Sequence, residues 1–124
     1  MKRGVVQAPG VSAEQLLSSA EADPGAVLVW DTTGLSSKAG VLAAAGRVLG
    51  GGDDFGLNLD ALYDTLRDLD QGSVLIWSGW ADLATADRVT FDILIALFGD
   101  RAEEAALTVV LCGTGPEVDV PLLG

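Results

Sequence analysis

Six aspartates, Asp53, Asp54, Asp60, Asp64, Asp68 and Asp70, fall within 18 residues of this chain, with Arg67 the one cation among them. Asp60, Asp64 and Asp68 are four residues apart, so a helix stacks them on one face. Like charges at that spacing cost a helix about 0.2–0.5 kcal/mol per pair. Asp60 recovers part of that near the positive helix start; Asp64 and Asp68 do not. Tyr63 sits beside this face. From charge alone the face is either a solvated acidic surface or a ridge that docks into a cationic pocket. A calcium loop does not fit: the spacing D-x-[DN]-x-[DN]-G with a closing Glu is absent, and one helix face cannot wrap an ion.

Other candidate groups are weaker. Asp31-Thr32-Thr33 follows an apolar run, where ligands of parallel α/β folds bind, and an aspartate there could accept a phosphoryl group or hold magnesium. No second acid is placed beside it, and a turn in which Asp and Thr satisfy backbone donors explains it equally. Gly50-Gly51-Gly52-Asp53-Asp54-Phe55-Gly56 is glycine-rich but matches no phosphate-binding pattern, and its aspartates would repel phosphate. Trp77 and Trp80 have no basic patch interleaved and read as core. Nothing calls for a metal or cofactor.

Composition narrows the classes further. The 124 residues fit one domain, and 49% apolar content excludes disorder. Eighteen acidic against seven basic residues give a net charge of −11, which opposes direct binding to nucleic acid or anionic membranes and favours a basic partner. The chain has no histidine, which removes histidine-based acid–base and nucleophile systems and nearly every zinc site. Its single cysteine, Cys112, excludes an internal disulfide framework. The N-terminus has no apolar region of a secretory signal, and the longest apolar run, Ile93 to Phe98, is far shorter than the ~18 residues of a membrane span. A cytoplasmic protein is expected. Arginine outnumbers lysine, and alanine and glycine abound, as in GC-rich bacterial genomes.

These residues need a scaffold. A capping box at Ser12-Ala13-Glu14-Gln15 predicts a helix over 13–22. Ala26 to Trp30 reads as a strand buried on both faces. A helix capped at Ser36 or Ser37 carries Val41, Leu42, Ala45, Val48 and Leu49 inward and ends at Gly50. The acidic segment itself reads as a helix over 57–69, with Leu59, Leu62, Leu66 and Leu69 as its buried stripe. Val74 to Trp77 is a second strand, Trp80 to Thr85 a short helix, and Leu107 to Leu111 a third strand. Between them a long helix from Asp87 to Ala105 turns Val89, Ile93, Leu94, Leu97 and Phe98 inward, weakened at Gly99. Residues 1–11 and 113–124 show no regular pattern, and trimming Met1 to Gly10 or the segment after Gly115 is expected to leave function intact. Buried strands separated by helices imply a small three-stranded parallel sheet packed with helices, an α/β domain.

Phe55-Gly56-Leu57-Asn58-Leu59-Asp60-Ala61-Leu62-Tyr63-Asp64 resembles the core motif of the barstar family, intracellular inhibitors of guanyl-preferring bacterial ribonucleases. The likeness spans roughly Ala26 to Cys112 and extends to the order of strands and helices. It implies a barstar-like domain over 26–112, preceded by an N-terminal extension with a short helix (1–25) and followed by a C-terminal tail (113–124). By position, Asp64 resembles the carboxylate that occupies the nuclease phosphate subsite, and Asp60 the second acidic contact of the same helix. Tyr63 stands where the family often has tryptophan. Phe55, Gly56, Asn58 and Leu59 match the loop lying along the nuclease. Asp54 replaces an aromatic residue of the best-known members, and Arg67 lies one turn past Asp64. Asp68 extends the acidic face. The acidic residue of the last long helix falls at Gly99 or Asp100. The implied protein is a non-catalytic inhibitor or immunity protein, monomeric, which caps a small basic ribonuclease or nuclease toxin in a 1:1 complex. Two other readings stand beside it: an acidic interaction domain without nuclease inhibition, and a phosphotransfer domain centred on Asp31.

Overall fold

The computed structural model describes residues 4–20, 27–49, 59–67, 73–105 and 107–122. Three of its strands are runs rich in β-branched and apolar side chains: β2 (Val27–Asp31), β3 (Val74–Ser78) and β4 (Thr108–Cys112). Their side chains alternate between two apolar clusters, which is why each run is apolar throughout. Leu75, Trp77, Val109 and Leu111 enter the larger cluster; Val74, Ile76, Val110 and Cys112 enter the smaller one.

A further strand, β1 (Gly4–Ala8), pairs parallel to β4, with Gly4 opposite Thr108 and Ala8 opposite Cys112. The sheet therefore has four parallel strands in the order β1-β4-β3-β2. This corrects the three-strand expectation and the patternless reading of residues 1–11. The sequence signal was weak because β1 is a short edge strand with only two large apolar residues, Val5 and Val6, so pairing with β4 rather than local periodicity defines it. The tail is corrected similarly. Gln7 N–H donates to the Pro121 carbonyl at 2.8 Å, Gln7 Nε2 to the Val120 carbonyl at 2.6 Å, and Val118 and Val120 are buried in the larger cluster.

The helices are α1 (Ala13–Ala20), α2 (Lys38–Leu49), α3 (Leu59–Arg67), α4 (Trp80–Ala86) and α5 (Arg88–Ala105). The reciprocal hydrogen bonds of Ser12 and Gln15 start α1 as the capping box requires. Leu16 of α1 covers the smaller cluster, while residues of α2 to α5 build the larger one on the opposite face of the sheet. At its centre Trp30 stacks on Trp77, ring centroids 4.3 Å apart, with Phe98 edge-on to both. Trp80 is also buried, its Nε1 donating to the Cys112 carbonyl at 3.1 Å.

One turn between β3 and α4 tolerates only glycine. Gly79 has φ 76°, and a Cβ there would meet the Thr33 backbone nitrogen at 2.3 Å. The face of α5 differs from expectation: Val89 and Ile93 are 71% and 45% exposed, and Leu97 is half-buried. Leu94 and Phe98 are buried as expected and Leu97 packs against the core, while Phe91, Arg101 and Ala102 take the inward places that Val89 and Ile93 leave. Phe91 anchors the stripe by packing on Trp77 and Trp80, which rotates Val89 and Ile93 outward. α5 runs unbroken through Gly99.

Candidate functional site

Helix α3 is held from below by leucine. Leu62 and Leu66 are fully buried and Leu59 is half-buried, as the predicted stripe requires. Burying that stripe fixes what the opposite side presents. Asp64 is exposed and Tyr63 is half-buried. Asp60 lies on α3 one turn before Asp64, though its side chain is outside the described residues. Asp54, Phe55, Gly56, Asn58 and Asp68 of the expected site also lie outside them. The structure thus places Leu59, Tyr63 and Asp64 on one helix, with Leu59 turned inward rather than to the surface.

The neighbouring helix adds to this face. α5 packs beside α3, and the Arg101 guanidinium carbon lies 5.1 Å from the centre of the Tyr63 ring. Asp100, adjacent to Arg101, is exposed, whereas Gly99 offers no side chain, so Asp100 is the acidic group available at this place on α5. Glu103 and Glu104 are exposed nearby on the same helix. Sequence reading missed Arg101 and Glu104. Their spacing of three, as a potential helical ion pair in Asp100-Arg101-Ala102-Glu103-Glu104, was the available signal.

Asp31 sits exposed at the carboxyl end of β2. Its Oδ1 accepts from the Thr33 hydroxyl at 2.6 Å and from the Thr33 N–H at 3.0 Å, and the hydroxyl contact is the main reason its carboxyl titrates below the ordinary value. The same turn is tied to α4, where Asp82 Oδ2 accepts from the Gly34 N–H at 2.7 Å. Beside Asp31 in register are Ser78 and, on β4, Cys112, whose thiol is buried and pushed up in pKa by that burial. This is a braced strand-to-helix turn. Among the described residues no group of three His, Cys, Asp or Glu side chains is placed to hold a metal ion. A cavity of about 540 Å³ opens between β1, α5 and the tail, lined by Gly4, Val5, Val6, Gly99, Ala102, Glu103 and Pro121. Among the described residues Glu103 is its single ionisable side chain, which does not make a convergent catalytic set.

The described face is therefore suited to contact rather than chemistry: a rigid helix with its apolar stripe buried, an outward carboxylate, an aromatic ring beside it and a second acid on the adjoining helix. No curated protein matches the chain. A sequence model of one family, described as Barstar (barnase inhibitor), matches residues 25–112, which takes in β2 to β4, α3 and α5. The matched stretch covers well over half of the chain and contains every candidate residue of the acidic face, so the chain belongs to the barstar family, whose members are inhibitors.

Proposed function

We propose that this protein inhibits a small basic ribonuclease of the barnase type by inserting the acidic face of α3 into its active site. The observation that carries the reading is the outward carboxylate of Asp64 on α3, set over buried Leu62 and Leu66 within the family-matched region. A ribonuclease site gathers cationic side chains to bind RNA phosphates. A helix that offers carboxylates on a rigid support presents the same charge and occupies the same place. Asp64 takes the phosphate subsite, Asp60 the next cation along the helix, and Tyr63 packs at the edge. Asp100 widens the acidic surface from α5. The loop residues Asp54, Phe55, Gly56 and Asn58, with Asp68, belong to the same proposed contact.

The proposed complex is 1:1 with a monomeric inhibitor. The proposed setting is the cytoplasm of a bacterium, where the protein serves as immunity against a nuclease that the cell makes or meets. Residues 26–112 carry the inhibitory surface; the flanking segments complete the sheet and its core. No catalytic step is assigned to the chain. The test is RNA cleavage by a panel of barnase-type ribonucleases at increasing ratios of this protein. Cleavage by at least one of them should stop near one equivalent. Undiminished cleavage across the panel at large excess of the protein overturns the reading.

A further inference from the structure

Arg101 is the one buried cation among the described residues. It is 3% exposed, on a helix whose other charged residues all face solvent. Burying a guanidinium is costly unless its donors and charge are matched. Here the matching is partial: Nη1 donates to the Glu104 carboxylate at 2.5 Å, the ring of Tyr63 lies against the guanidinium at 5.1 Å, and Nε makes no hydrogen bond. Glu104 is 64% exposed and reaches in from solvent. A leucine or methionine would fill this space without leaving a buried nitrogen unpaired, so packing alone does not account for the residue. Of its two contacts, the one to Glu104 stays within α5, and the one that reaches another element is that to Tyr63, the residue next to Asp64 on α3.

We propose that Arg101 is a positioning residue for the partner-binding face: its buried guanidinium holds the Tyr63 ring, and through it the Asp64-bearing turn of α3, against α5. A half-buried aromatic ring on a short helix has several rotamers open to it; a cation fixed beneath one face selects among them. Glu104 adds one anchor by accepting from Nη1. The binding half of this proposal rests on the inhibitor reading; the Tyr63 half does not.

Tyr63 is the sole tyrosine of the chain, so 3-fluorotyrosine labelling gives one fluorine NMR line that reports on this ring. Arg101→Met, which keeps length and removes charge, should move that line and weaken binding to an inhibited barnase-type ribonuclease. The expected loss is about two- to thirtyfold, the span of cation–ring contacts from exposed to desolvated sites. Arg101→Lys should retain most of the affinity. In an Asp64→Asn background the Arg101→Met loss should shrink, because the two residues then act on one contact. If Arg101→Met does not fold, Glu104→Gln takes its place and should move the line in the same direction by less. An unmoved line overturns the proposal with or without a ribonuclease. Equal losses in both Asp64 backgrounds also overturn it, since a purely structural arginine acts additively. If the wild-type protein binds none of the ribonucleases, the inhibitor reading fails and the fluorine line alone decides whether Arg101 holds Tyr63.

Discussion

Thr32 shows how single groups hold this core. It is fully buried, and its hydroxyl accepts from Trp77 Nε1 at 2.8 Å while donating to the Ser78 carbonyl at 3.4 Å. Thr32→Val keeps the shape and removes the acceptor. The indole N–H beneath is then buried without a partner, which costs about 1–3 kcal/mol. Urea denaturation should show the lower midpoint; an unchanged midpoint would mean that the indole finds another acceptor. Asp87 works at the surface. It closes α4 through its N–H to the Leu83 carbonyl and opens α5 by accepting from the Thr90 N–H at 3.1 Å and the Thr90 hydroxyl at 2.7 Å. The hydroxyl contact above all holds its carboxyl below the ordinary 3.8. A lowered carboxyl contributes stability that is complete above 3.8 and disappears as pH falls through the folded value. Asp87→Asn should therefore melt below wild type at neutral pH, and the gap should close under acid below that point. A gap independent of pH would assign the effect to shape rather than charge. Trp77 and Trp80 were legible as core from their residue type; Arg101 was not, because an arginine in a charged run reads as surface until a neighbouring helix covers it.

Among the elements, α5 carries the clearest test. Gly99 lies inside this 18-residue helix, and a Cβ there meets nothing within 4 Å. Gly99→Ala should raise stability by about 0.5–1 kcal/mol through lost freedom of the unfolded chain. A drop in the thermal midpoint would mean that the cavity wall at this glycine does not accept a methyl group. The same helix shows where sequence reading stops. Its existence and extent followed from periodicity, as did the inward placing of Leu94, Leu97 and Phe98, but the edge of its inward face did not, since Val89 and Ile93 satisfy the spacing and lose the competition to Phe91 and its tryptophan partners. α3 was legible in full where it is described, because Leu62 and Leu66 leave one way to bury the helix. β1 was illegible for the opposite reason: an edge strand of five residues takes its identity from β4. Asp54, Phe55, Gly56 and Asn58 entered the expected site only by likeness to a family, and they lie outside the described residues.

At the scale of the molecule, charge dominates. A net charge of −11 with acids gathered on α3 and along α5 makes a field that draws in a basic protein before contact. Screening acts within ~10 Å at 0.1 M salt, so the association rate with an inhibited ribonuclease should fall steeply as salt rises, while dissociation changes little. Stopped-flow rates that stay flat across salt would locate the affinity in apolar contact instead. The central claim is that Asp64 serves binding and not folding, and paired measurements on Asp64→Asn test it most directly. The substitution removes one of three aspartates that the sequence spaces four apart, so its melting temperature should match or slightly exceed wild type, by no more than a few tenths of a kcal/mol. Binding to the ribonuclease, measured by titration calorimetry on the same samples, should weaken by ~2 kcal/mol or more, a range that already contains a barstar–ribonuclease pair. A protein that melts lower and binds as before would contradict the account, because Asp64 would then be a structural residue on a face that meets no partner.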